Sequence, residues 1–214
     1  MTAKIKLNAA SGGGSISIQA PSSSSNNRVI SLPDIADGTL LTNQSSLDST
    51  KLSPALSAGI TMADQWRLTS TFQGNANPIS SNLERVDTTG YGVIGSAMTQ
   101  SSGIFTFPST GIYRIDFQLH GWDTGGGTSY LTHNIRTTTN NSSYVNASHA
   151  SPSAAGITST NQYMNGYCTY VFDVTDTSTH KVQFKVDMSN TSSYVTGDTN
   201  VTFTGFWFTR LGDT

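Results

Sequence analysis

The sequence predicts an all-β protein, an antiparallel sandwich behind a short arm, on three observations: hydroxyls in place of charges, short strands between regular turns, and strands apolar on both faces. Charged residues make up 11% of the 214, against roughly 25% in ordinary domains, while 31 serines and 31 threonines supply polar surface. Threonine suits a pleated surface, and serine and asparagine compete with helical hydrogen bonds. The length allows one sizeable core plus an extension.

Three parts follow in order: an arm over 1–45, a linker or stalk over 46–65, and a sandwich over 66–214. In the arm, Ile5 and Leu7 alternate with lysines, Ser11 to Ser15 is a glycine-rich turn, and Ile16 and Ile18 alternate with serines. That reads as a β-hairpin, and Arg28 to Leu32 as a third strand. So few apolar residues cannot close a core, so the arm needs a partner. Leu47, Leu52, Leu56 and Ile60, interrupted by Pro54, fit a short helix or an extended stalk equally well.

Beyond the linker, strands are expected at 66–72, 91–94, 104–107, 111–121, 129–137, 144–149, 163–174, 180–187 and 201–211, with a loop at the glycines of 124–128. Residues 180–187 alternate cleanly: Val182, Phe184 and Val186 share one face, and Lys181, Gln183, Lys185 and Asp187 the other. Two other strands load both faces, one with Phe203, Phe206, Trp207 and Phe208, the other with Tyr167, Cys168, Tyr170, Val171, Phe172 and Val174. A sandwich has one interior, so the second face needs a cover. Self-association is the economical one; a helix or the arm folded over that face is the other.

Several function classes are disfavoured. A net charge of -2 without basic runs gives no field for nucleic acid. The start of the chain carries no apolar leader, and no apolar run reaches membrane-spanning length, so neither secretion nor membrane insertion is expected. The single Cys168 fits folding in a reducing compartment, as a small buried hydrophobe. His120, His133, His149 and His180 are scattered, Glu84 is the only glutamate, and no nucleophile elbow, zinc motif or phosphate loop occurs, so no enzyme and no cofactor are expected.

The run Ser102 to Phe117, with Gly103-Ile104-Phe105, Pro108 and Gly111-Ile112-Tyr113-Arg114-Ile115-Asp116-Phe117, resembles the central signature of the complement C-one-q head and its tumour necrosis factor relatives. Phe203-Thr204-Gly205-Phe206 is similar to the family's closing strand. The resemblance implies a ten-stranded jelly roll and a homotrimer. Strands 111–121, 163–174 and 201–211 would share the sheet facing the threefold axis. Tyr113, Phe117, Tyr170, Phe172, Phe203, Phe206, Trp207 and Phe208 are then candidates for the core or the trimer interface. It also leaves calcium open, with Asp176, Asp187 and Asp198 near loop ends, though no EF-hand spacing supports it.

The arm, over Leu7 to Pro21, Arg28 to Asp34 and Asp37 to Leu41, resembles a segment near the start of appendage proteins of marine tailed phages. The expectation is a trimeric tail or head fibre, folded in the host cytoplasm and displayed on the virion exterior. Its arm would join other virion proteins, and its loops would meet a host glycan or protein. Trp122, Tyr130, Tyr144 and Tyr194 are the receptor-loop candidates, with core packing as the alternative for each. A capsid decoration protein of the same fold, or a lectin-like binding protein of non-viral origin, are the rival readings.

Overall fold

The computed structural model describes residues 4–8, 10–19, 59–124, 128–152 and 161–214. The chain divides into two compact units, Met1–Leu47 and Asp48–Thr214. In the first, β1 (Lys4–Asn8) and β2 (Ser15–Gln19) form an antiparallel hairpin with Leu7 opposite Ile16. The alternation on either side of the Gly12–Gly14 run fixes this pairing. The expected third arm strand, most of the stalk and the Gly125–Gly127 run lie outside the described residues.

The second unit is a jelly roll without a helix among its described residues. Its strands are β3 (Met62–Leu68), β4 (Ser70–Gln73), β5 (Leu83–Arg85), β6 (Thr99–Ser101), β7 (Ile104–Thr106), β8 (Gly111–Asp123), β9 (Leu131–Thr138), β10 (Val145–Ala150), β11 (Gln162–Val174), β12 (Lys181–Met188), β13 (Tyr194–Asp198) and β14 (Gly205–Gly212). One sheet has five strands in the order β10-β9-β12-β7-β6. The other has seven: β4-β13-β8-β14-β3-β5, with β11 on the free flank of β8. The chain crosses between sheets after β5, β7, β8, β10, β11 and β12, which winds the two sheets around one core.

Five and seven strands exceed the ten expected, and the reason is the length of β8. It pairs with β11 along all 13 residues, but β14 covers only Ile112 to Gln118 on its other flank. At Gly121 and Trp122 the edge passes to β13, which in turn pairs with β4. The expected strand 66–72 begins earlier, at Met62, and breaks at Thr69, whose backbone N–H turns to Asn82 O (2.8 Å). The expected strand 91–94 is only a bridge between Ala63 and Ile94, because glycines at 90, 92 and 95 interrupt it.

Strands β8, β11 and β14 are neighbours in the seven-stranded sheet, as the resemblance implied. Between the sheets, Phe105, Phe117, Phe184, Phe206 and Phe208 are fully buried. Phe184 and Phe206 have centroids 4.3 Å apart, and Phe117 meets Phe206 at 5.0 Å. Such pairs add about 0.5–1.5 kcal/mol each beyond their buried area.

The glycines of the signature follow from close approach. Gly111 has φ 143°, and a Cβ there would collide with the Arg210 guanidinium and Gly212 O. At Gly205 a Cβ would meet the Trp207 ring, at 2.9 Å from Cη2. Tyr113 closes the turn before β8 by donating its hydroxyl hydrogen to Ser109 O (3.0 Å) while packing on Phe107 at 4.7 Å.

Candidate functional site

Period two divides each long strand between two environments. On β8, Tyr113, Ile115, Phe117 and Leu119 point into the sandwich, and Arg114, Asp116, Gln118, His120 and Trp122 point away from it. On β11, Cys168, Phe172 and Val174 are buried, while Tyr163, Tyr167 and Val171 are 64%, 51% and 55% exposed. On β14, Phe206 and Phe208 point inward, and Trp207, opposite Asp116, lies on the other face. The outer face of β12 is the opposite case, with Lys181, Gln183, Lys185 and Asp187. The seven-stranded sheet therefore presents an aromatic and aliphatic face to the outside, and the five-stranded sheet a polar one.

Tyr113, Phe117, Phe172, Phe206 and Phe208 accordingly belong to the core, and Tyr170 packs against it half-buried. Phe203 and Trp207, also half-buried, belong to the outer face. Cys168 is buried and its thiol pushed up to about 12, chiefly by desolvation, so it is an inert hydrophobe.

Two features organise that face. At its centre Arg114 Nε donates to Asp116 Oδ1 (3.0 Å), Arg114 Nη2 donates to Tyr167 OH (3.0 Å), and the Tyr167 hydroxyl donates to Asp116. At the end where β8 finishes and β11 begins, His120, Trp122, Asn161, Tyr163, Thr196 and Phe203 line an apolar hollow of about 300 Å³. Trp122 and Tyr194 stack with centroids 4.3 Å apart and planes 10° from parallel. His120 lies 5.9 Å from the Tyr163 ring and 5.2 Å from that of Phe203, with Nδ1 2.8 Å from Thr196 Oγ1. Burial lowers its pKa from the ordinary imidazole value.

Of the four receptor-loop candidates, the structure brings together Trp122 and Tyr194, each half-buried by the other. Tyr130 stands apart, exposed before β9. Tyr144 turns its hydroxyl inward, and its carbonyl accepts from Arg136 Nη2 (2.8 Å). The three aspartates considered for calcium serve their own surroundings. Asp176 accepts from Ser178 N (2.8 Å), Asp198 accepts from Asn200 N (2.7 Å) and Val201 N (2.9 Å), and Asp187 pairs with Lys185 (2.5 Å). Among the described residues no three His, Cys, Asp or Glu side chains converge as a cation site.

A larger hollow, about 490 Å³, lies at the opposite end of the sandwich, beside Thr61, Ser109, Arg210 and Asp213. Its guanidinium is already engaged: Arg210 donates to Thr110 O (2.9 Å), Thr61 Oγ1 (3.1 Å) and Asp213 Oδ1 (2.5 Å).

Sequence reasoning missed the buried polar centre around Asp64. Asp64 accepts from Trp66 Nε1 (3.0 Å), Arg85 Nε (3.0 Å), Tyr91 OH (2.8 Å) and Met98 N (2.9 Å). Its partners are up to 34 residues away, so no local spacing signals it. It ties the loop after β5 to β3, and Arg85 caps the Trp66 ring at 4.8 Å.

No family model matches the chain, and no curated protein is significantly similar to it in sequence. Among solved structures, that of murine APRIL at pH 5.0 is similar with a TM-score of 0.49 at 12% identity, over 70% of this chain and 98% of that one. Murine APRIL at pH 8.5 gives a TM-score of 0.45 with the same identity and coverage. The jelly roll described above rests on the sheet order itself.

Proposed function

We propose that the chain is a non-enzymatic structural and adhesive protein, associating as a homotrimer through the outward face of its seven-stranded sheet and serving as an appendage on the exterior of a tailed phage. The observation that carries the assembly is the exposure of Tyr163, Tyr167 and Val171 on one sheet face, continuous with Trp207 and Phe203. Soluble monomers seldom leave such a patch uncovered. The threefold order is supported by the resemblance of 102–117 and 203–208 to the complement C-one-q and tumour necrosis factor signature.

The viral address is supported by the resemblance of Leu7 to Pro21, Arg28 to Asp34 and Asp37 to Leu41 to phage appendage proteins. In this reading the arm joins other virion proteins, and loop aromatics such as Tyr130 meet the host surface. Three copies of a weak loop site would then act with avidity. The sparse charge and the lone buried thiol suit folding in a reducing cytoplasm before assembly.

Light scattering of the intact chain across a dilution series tests the assembly: a mass of three chains is expected, and a well-folded monomer at all concentrations refutes it. Val171→Arg places a charge on the face without touching the core, and should release folded subunits. Chains beginning at Gly59 test the arm. They should no longer join particles, and their incorporation would sink the virion assignment.

A further inference from the structure

The outward face carries one group whose charge conflicts with being covered. His120 sits in the hollow among the rings of Tyr163 and Phe203, beside Trp122. We infer that the assembly is acid-labile through His120, the imidazole having to be neutral for a second copy to close over the hollow, so that acidification separates subunits that remain folded. This rests on the assembly reading above.

The surroundings of His120 provide no counter-charge. On β8 its neighbours along the face are Gln118 and Trp122. From β11 come its register partner Asn165 and the ring of Tyr163. From β13 come Thr196, which bonds Nδ1, and Tyr194 behind Trp122. From the segment before β14 come Phe203 and Thr204, whose Oγ1 accepts the His120 backbone N–H (3.2 Å). The only titratable groups among these are the phenols of Tyr163 and Tyr194.

Of the carboxylates on the same strands, Asp173 stands opposite Ile112 at the far end of β8, and the others are committed elsewhere. Asp116 is held by Arg114 and Tyr167, Asp198 by the backbone of Asn200 and Val201, and Asp123 by the buried hydroxyls of Thr128 and Ser193. A proton on His120 would therefore be buried unpaired by an incoming copy, the arrangement that proteins avoid most strongly.

The sign follows from linkage. In the separate subunit, partial burial already lowers the His120 pKa, and covering the hollow removes more water and lowers it further. Separated subunits then bind more protons than assembled ones, so association is full above the free imidazole range and falls as pH drops through it. Each histidine contributes up to about tenfold per pH unit, and three per trimer up to about a thousandfold in the association constant. Position on the covered face is what makes the effect specific to His120: His149 is exposed on β10, on the other sheet, and His180 stacks on Phe172.

The experiment is light scattering of the full chain over a dilution series at about pH 8 and about pH 5, with far-ultraviolet circular dichroism alongside. Expected are three chains at the higher pH and single folded chains at the lower. His120→Asn and His120→Phe should bring the ratio of association constants between the two pH values toward one. Calorimetry in buffers of different ionisation enthalpy should show proton uptake per wild-type subunit on dissociation that is small near neutral pH and rises toward one as pH falls toward about 5. An unchanged mass at both pH values, no proton uptake, a wild-type pH ratio in both variants, or loss of β structure at about pH 5 overturns the inference. A trimer at both pH values leaves the assembly reading standing, and a monomer at about pH 8 overturns both.

Discussion

His133 is the residue whose environment departs furthest from its chemistry. It is fully buried on β9, and neither ring nitrogen has a hydrogen-bond partner among the described residues. Its ring meets Phe117 edge-on at 4.9 Å and fills the space that a Cβ on Gly166 would take. Desolvation first, and then the nearby His149, lower its pKa to about 4. The folded state thus holds it neutral, whereas the unfolded chain titrates near 6.5. Stability from this group is complete above about pH 6.5 and is lost as pH falls toward about 4, by up to roughly 3 kcal/mol. His133→Phe keeps the aromatic packing and removes the titration. Urea midpoints of the variant should fall less between pH 7 and about pH 4.5 than those of the wild type. Equal pH slopes in the two proteins would remove His133 as the cause.

The long strands were legible because their side chains follow period two over enough residues to count. The eight residues of β12 show clean alternation, and the structure puts Val182, Phe184 and Val186 inside. β11 and β14 read as apolar on both faces, and both faces are apolar. What could not be read was the short pieces: β5 and β6 have three residues each, too few for any period, and β13 exists because β8 outruns β14. The Asp64 cluster was illegible for a related reason, since its partners meet only after the sheet has formed. Adjacent residues on β11 turn this into a test. Phe172→Ala removes a core ring and should cost about 3–5 kcal/mol in urea unfolding at every protein concentration. Val171→Ala, one position along and on the other face, should cost less than about 0.5 kcal/mol in the dilute separated subunit, yet weaken association measurably at high concentration. Equal costs at both positions would mean that the register of β11 is wrong.

At the scale of the molecule, the balance of magnitudes decides how the outward face behaves. Tyr163, Tyr167 and Val171 are each about half exposed, so covering them yields roughly 2–5 kcal/mol per subunit from apolar area, with Trp207 and Phe203 adding to it. Association costs about 4–15 kcal/mol in lost freedom, a sum of the same order. The Arg114–Asp116–Tyr167 cluster lies in the middle of the face, and its burial returns little unless its partners stay together. The proposed trimer, balanced this closely, would exchange subunits within accessible concentrations, and because only the folded subunit could join it, assembly and folding would be linked. The thermal midpoint of the intact chain should therefore rise with protein concentration, and the rise should vanish in Val171→Arg while that variant unfolds at the dilute wild-type temperature. A midpoint independent of concentration in a chain that light scattering shows to be monomeric would mean that the apolar face is stable in water, and its exposed rings would then be there for a ligand other than a second copy.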